Sequence, residues 1–219
     1  MSKRRIKTFG GQQATYPIKD LKMVQRVIDY LKKEIKEAKT PIKEQQAYRN
    51  YILILTGFNT AFRAEDLLQL RVTDVISGAI SIKENKTKKM QVFELNKDFH
   101  EELLKYVVKY KLKDDDYLFM GQKKVSTYNG VTTEVLYPIV RQQARIICLK
   151  VKKACGITFK FGMHSLRKTF GYHYMNNGGN ILTLQKMYNH SDPSVTILYT
   201  MWATDDVEKE RRDIFIGGK

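Results

Sequence analysis

The chain has 219 residues, 42% of them hydrophobic and 11% aromatic, and carries 39 Lys and Arg against 23 Asp and Glu, a formal charge of +16. This composition excludes a disordered chain and suffices for one large core. The basic excess points to a polyanionic partner, nucleic acid above all, with a merely basic or ribosome-associated protein as the competing reading.

Residues 1–15 read as a flexible basic arm, with Lys3, Arg4, Arg5 and Lys7 and a Gly-Gly pair at 10–11. Leu21, Val24, Val27, Ile28, Leu31 and Ile35 recur at helical spacing, with Pro17 and Asp20 before them. A second helix is predicted from about Glu44 to Thr56, its "YILILT" end apolar on all sides and therefore buried. "AEDLLQL" (64–70) reads as a third helix. "GAISIKENKTKKMQVFEL" (78–95) alternates around a lysine-rich centre and predicts a β-hairpin with a basic tip. Helical periodicity returns at 99–110. "DDDYLFMG" holds a short third strand, and a long helix is predicted from Thr133 to about Lys153. "HSLRKTFGYHYMNNGG" (164–179) is a helix ended by Asn and Gly, and "ILTLQKMY" (181–188) a short one. Asp192 caps a helix with Pro193 at its first position, and a last helix covers about 203–216. The fold class predicted is mostly α with a small antiparallel β-sheet (α+β).

Several chemistries are missing from the sequence: there is no Walker loop, no HExxH and no CxxC pair. The two cysteines, Cys148 and Cys155, lack metal-ligand spacing and read as free thiols of a reducing compartment. The N-terminus lacks the apolar stretch of a signal peptide, and no apolar run is long enough to span a bilayer. A basic protein acting on nucleic acid without a metal must stabilise charge with its own cations, and arginine's planar fork suits phosphate oxygens. His164 and Arg167 lie three apart on one helical face. Arg63 stands at a helix start, where an anion is favoured. Lys86 sits at the hairpin tip, His190 precedes the helix that Asp192 caps, and Tyr199 follows His190 by nine residues. Taken singly, each is a commonplace core or surface residue.

In this order the stretches "NTAFRAEDLLQLRVTDV", "ISIKENKTKKMQVFEL", "HSLRKTFGYH" and "LQKMYNHSDPSVTILYT" resemble the four conserved boxes of the tyrosine recombinases, or phage-type integrases. The resemblance runs from about residue 17 to 215. It implies the family's catalytic-domain fold, of the DNA breaking-rejoining type, over 16–219; most members carry a separate core-binding domain ahead of it, and here, as a departure, none is expected. It also implies a catalytic set of Arg63, Lys86, His164, Arg167, His190 and Tyr199. Ala61 and Asn189 stand where the family usually has glycine.

By this resemblance Tyr199 attacks a scissile phosphorus, leaving a 3′-phosphotyrosine and a 5′-hydroxyl. Arg63, Arg167 and His190 hold the phosphate, His164 takes the phenol proton or positions it, and Lys86 protonates the departing oxygen. Lys83, Lys88 and Lys89 crowd the same tip and compete for that last role. Lys88, Lys89, Lys168, Lys3, Arg4 and Arg5 are expected DNA contacts. Asp66 is expected to brace Arg63 or its helix. His173 reads equally as a supporting residue or a core histidine, and Tyr172, Tyr174 and Tyr188 as packing or DNA-facing residues. No metal or cofactor is expected. The implied partner is double-stranded DNA, bound by a protein that is monomeric in solution and tetrameric on DNA, with an accessory DNA-bending protein and no membrane. The implied location is the cytoplasm, at the nucleoid. Trp202 is expected to pack the tail, and Ile214, Phe215 and Ile216 raise the expectation of a tail docked onto a neighbouring protomer. Two rivals stand beside a site-specific recombinase of a mobile element or phage: a type IB topoisomerase, and a decayed integrase that binds DNA without recombining it.

Overall fold

The computed structural model describes residues 15–83, 90–128 and 131–200. All but Thr15 of the expected arm, the hairpin tip with Lys86, Lys88 and Lys89, and the expected last helix with Trp202 lie outside the described residues.

Helix α1 (Leu21–Lys36) begins where the Asp20 carboxylate accepts from the Lys22 amide, 2.9 Å away. It buries Val27 and Leu31 on the face its periodicity predicts. Helix α2 (Pro41–Asn59) starts earlier than expected, because Thr40 supplies an N-cap oxygen to Lys43 and Pro41 occupies the first turn. Its apolar end is the centre of the molecule: Ile52, Leu53 and Ile54 are fully buried. Gly57 on this helix lets Leu166 approach where a Cβ would collide with its side chain, and so sets how closely the helix bearing His164 and Arg167 can pack.

The short helix α3 (Ala64–Leu68) has Arg63 as its N-cap residue. After a 3₁₀ turn at Val72–Asp74 come β1 (Ala79–Lys83) and β2 (Met90–Glu94), antiparallel with Ile80 opposite Phe93. The predicted hairpin is therefore present, and Ile80 points into the core. Helix α4 (Lys97–Lys109) is capped by Asn96 and buries Phe99, Leu103, Tyr106 and Val107.

The next segment departs from expectation. A second antiparallel hairpin, β3 (Met120–Tyr128) and β4 (Val131–Pro138), replaces the N-terminal half of the long helix predicted from Thr133. Residues 131–136 are dominated by β-branched side chains, and Asn129-Gly130 is the dipeptide that favours a two-residue hairpin connection. Pro138 also ends β4 and separates it from the helix that follows. The short strand expected in 114–121 is an isolated bridge, Arg71 to Tyr117, leading into β3.

Helix α5 (Arg141–Cys155) ends at Gly156, which takes the left-handed conformation. Both cysteines on it are buried thiols. Helix α6 (Met163–Asn176), α7 (Ile181–Tyr188) and α8 (Pro193–Thr200) follow as predicted, the last capped by Asp192 onto the Ser194 amide at 2.8 Å. Helices α6, α7 and α8 pack on one another around Tyr188 and Leu184, both fully buried. No helix among the described residues is long and apolar enough to cross a membrane.

Candidate active site

Five of the six residues predicted to form a catalytic set fall within the described residues, and all five line one cleft of about 380 Å³. Arg63 reaches it from the start of α3, His164 and Arg167 from the first turns of α6, His190 from the loop after α7, and Tyr199 from the end of α8. The sixth, Lys86, lies outside the described residues.

The arginines are anchored by main chain. Arg63 Nη2 donates to the Tyr188 carbonyl at 3.1 Å, and Arg167 Nη2 donates to the same oxygen at 2.8 Å. Tyr188 is the last residue of α7, so its carbonyl belongs to the negative end of that helix, where cations are favoured. The arrangement is reciprocal: the Tyr188 hydroxyl donates to the Arg167 carbonyl at 2.7 Å, and the Arg167 guanidinium stacks 4.6 Å from the Tyr188 ring. Gly171 makes this possible, since a Cβ there would land on the Tyr188 hydroxyl. Of the two readings the sequence left open, Tyr188 takes the packing one, and burial raises its phenol far above the usual value.

Asn189 then turns the chain, with φ at 49° in the left-handed region where glycine and asparagine are tolerated. This is why Asn can stand at a position read as a glycine site. The turn delivers His190, whose Nδ1 shares a 2.9 Å hydrogen bond with the buried Thr196 hydroxyl. Gln185 accepts from the His190 amide and donates to its carbonyl, which fixes the backbone.

Tyr199 Oη lies 3.2 Å from His164 Nδ1. Its ring packs edge-on against Tyr188 and His190, with centroids 5.2 and 5.5 Å away. Burial pushes the Tyr199 phenol up from its usual value, against the opposing pull of Arg167 and Arg63. His164 moves the other way: desolvation, then the charges of Arg167, Arg141 and Lys168, hold it below the usual histidine range, with Glu65 opposing. A neutral imidazole next to a protonated phenol is the pairing that lets one take the other's proton.

One charged pair of the cleft, Arg141 with Glu65, was missed by the sequence reading. Arg141 opens α5 and pairs with Glu65 of α3, Nη1 to Oε1 at 2.7 Å, at the mouth of the cleft. The long helix predicted from Thr133 hid Arg141 in a helix interior, and only the break at Pro138 could have marked it as a helix start. Lys168 departs from its expected place at the DNA surface. It is 8% exposed, and its ammonium donates to the Thr15 carbonyl at 2.7 Å beneath the Tyr199 ring. One position past Arg167 on a helix is about 100° around the axis, which turns Lys168 off the cleft face. His173 bonds the Ile18 carbonyl at 3.0 Å and supports the segment before α1. Asp66 is buried on α3, three positions after Arg63. No group of three or more His, Cys, Asp or Glu that could hold a metal occurs among the described residues.

The model of the phage integrase family matches residues 20–205. The chain is 35% identical over 184 residues to the probable integrase/recombinase YoeC of Bacillus subtilis (strain 168), covering 84% of this chain and 87% of that protein. Its fold is similar to that of the XerA recombinase, with a TM-score of 0.66 at 18% identity over 94% of this chain and 66% of that one. It is also similar to XerH bound to palindromic difH substrate in a post-cleavage complex, with a TM-score of 0.64 at 18% identity over 91% and 53% of the two chains. The chain spans about half the length of the XerC of Bacillus pumilus and the XerD of Staphylococcus saprophyticus, 55% and 53%. The chain belongs to the phage integrase family, the tyrosine-type site-specific recombinases, and its fold is that of their catalytic domain.

Proposed function

We propose that this chain cuts and rejoins duplex DNA at specific sites through a covalent 3′-phosphotyrosine on Tyr199, in the integration or excision of a mobile element or phage. The observation that carries this reading is the 3.2 Å approach of Tyr199 Oη to His164 Nδ1 inside a cleft walled by Arg63, Arg167 and His190. A tyrosine hydroxyl with a base at hydrogen-bond distance and a cationic surround is an activated nucleophile.

In the proposed step His164 Nδ1 takes the phenol proton as Tyr199 Oη attacks phosphorus. The bond from phosphorus to the 5′-oxygen breaks, and that oxygen leaves with a proton from Lys86. Arg63, Arg167 and His190 offset the charge on the non-bridging oxygens. Rejoining runs the same step backwards from a different 5′-hydroxyl, so the phosphodiester energy is conserved and no nucleotide cofactor is consumed. Lys88 and Lys89 beside Lys86, with Lys3, Arg4 and Arg5, contact the DNA backbone without reading sequence. Arg141 joins them from the mouth of the cleft. The protein is a monomer in solution and a homotetramer on two duplexes, with an accessory protein bending the DNA. Acting on chromosomal DNA places it in the cytoplasm at the nucleoid.

The test is a covalent trap. The protein is incubated with genomic DNA of its source, denatured and digested with nuclease, and its peptides are weighed. A nucleotide on the Tyr199 peptide, absent in Tyr199→Phe, is the expected result. DNA binding with no adduct on any tyrosine overturns the reading in favour of a binding module. Relaxation of a supercoiled plasmid without strand exchange would instead favour a topoisomerase. Sedimentation with and without DNA tests the assembly, and a variant ending at residue 202 that still forms tetramers on DNA removes the tail from it.

A further inference from the structure

The reaction as proposed leaves one buried charge beside the nucleophile unused. Lys168 is 8% exposed, and no carboxylate pairs with it among the described residues. Burying an ammonium without a counter-ion is costly, and desolvation lowers its pKa from the ordinary lysine value. Such a group persists where its position serves something else. Two contacts hold it: the Thr15 carbonyl at 2.7 Å, and the face of the Tyr199 ring, 5.1 Å from the centroid.

The Thr15 carbonyl is itself held in place. The segment Thr15–Lys19 runs along α6 and is fastened to it at successive points. The Ile18 amide donates to Thr169 Oγ1 at 2.9 Å, the Ile18 carbonyl meets His173 Nε2 at 3.0 Å, and Lys19 sits 4.9 Å from the Tyr172 ring. The Tyr16 amide bonds the Lys160 carbonyl ahead of α6. Ile18 is 2% exposed, so this strap is part of the core.

We propose that Lys168 is a positioning residue for Tyr199: tethered by the Thr15–Ile18 strap, its ammonium holds the Tyr199 ring by a cation–π contact and keeps the hydroxyl at His164. The inference rests on the reading of Tyr199 as the nucleophile. Arg167 approaches the same ring, 5.7 Å from its centroid, so two cations of one helix contact it. A ring held this way favours the hydroxyl rotamer that meets His164, and the strap couples the chain ahead of α1 to the nucleophile. The charge of Lys168 acts on His164 together with those of Arg167, Arg141 and Glu65, and the Tyr199 hydroxyl bonds the same imidazole.

The test compares Lys168→Met and Lys168→Arg with the wild-type chain. Methionine fills similar volume and deletes a buried charge but leaves the Thr15 carbonyl without its donor, so urea unfolding of both variants runs beside the kinetics, and rates are compared where each is folded. At saturating DNA, Lys168→Met is expected to slow Tyr199 adduct formation about tenfold, the loss of one desolvated cation–π contact, while Lys168→Arg retains most of the rate. DNA affinity and its salt dependence stay as in the wild type. A salt slope reduced by about one with an unchanged adduct rate would make Lys168 a phosphate contact and overturn the proposal. Equal loss in both variants would overturn it too, because shape rather than charge would then matter.

A second readout needs no DNA. NMR titration of the imidazoles, with His164→Asn for assignment, is expected to show His164 titrating at higher pH in Lys168→Met, since a neighbouring cation has gone. An unmoved His164 overturns the contact even in an active enzyme. A wild-type chain that forms no adduct sinks the reading of the nucleophile and leaves this titration to judge Lys168.

Discussion

Arg63 and Arg167, more than a hundred residues apart in the chain, share one acceptor, the main-chain carbonyl of Tyr188, at 3.1 and 2.8 Å. A single helix end thus sets the spacing of two guanidinium forks. Pre-set cations cost no reorganisation when charge develops at a phosphate, and this is the largest lever such a site has.

Lysine at either position keeps the charge and loses the fork that reaches carbonyl and phosphate together. Arg63→Lys and Arg167→Lys are each expected to slow covalent-complex formation about 10²–10³-fold. Arg167→Lys is further expected to lower stability by about 1–3 kcal/mol, since Arg167 is 2% exposed and the change removes a buried hydrogen bond to the Tyr188 carbonyl together with the stack on the Tyr188 ring. Single-turnover cleavage and urea unfolding measure the two effects.

The acid limb of activity follows from His164. Its pKa is depressed, by desolvation first and then by Arg167, Arg141 and Lys168, so the neutral, proton-accepting form is fully present at neutral pH and persists below the ordinary histidine range. Adduct formation is expected to fall only as pH drops through that depressed value. Glu65 opposes the depression, so Glu65→Gln moves the limb to still lower pH. A rate profile that halves at or above the usual imidazole pKa of about 6.5 would contradict this.

At the mouth of the cleft the Arg141–Glu65 pair presents a carboxylate where a DNA phosphate would bind. Both partners are half or more exposed, so the pair itself contributes little to stability. Arg141→Ala is expected to weaken DNA binding and to reduce the salt slope by about one. Glu65→Gln releases the guanidinium and is expected to tighten binding. Fluorescence anisotropy at several salt concentrations reads both changes.

Asn189 holds φ at 49°, and every side chain that feels the turn after α7 depends on it. Asn189→Gly is expected to keep stability and activity. Asn189→Val is expected to cost about 1–3 kcal/mol, because a β-branched residue resists the left-handed region. It should also displace His190 and the Tyr188 carbonyl and slow cleavage. Thermal unfolding beside single-turnover cleavage separates strain from loss of the site.

Much of this molecule is written in short-range pattern. The apolar spacing of α1 and the all-apolar end of α2 announced which faces would be buried, and Val27, Leu31 and Ile52 are. Asp20, Asn180 and Asp192 each cap the helix they precede, because a cap needs only a side-chain oxygen two or three residues from an unpaired amide. The one large misreading lay at 133–140, where residues rich in β-branched types pair with β3 up to Pro138, and strand pairing is a contact the helical period does not encode.

The sequence by itself determined the chemistry on offer: which tyrosine follows which histidine, and that Arg63 stands at a helix start. Tertiary structure decided how those groups meet. Only packing of α6 against α7 and α8 brings His164 within 3.2 Å of Tyr199, 35 positions away, and joins Arg63 to Arg167 on one carbonyl. Only packing turns Lys168 inward under the Tyr199 ring while its neighbour Arg167 faces the cleft, and only packing pairs Arg141 with Glu65 across 76 positions. Local propensity fixes helices and caps over a few residues. A catalytic geometry is a long-range property, set where buried side chains leave each polar group one place to go.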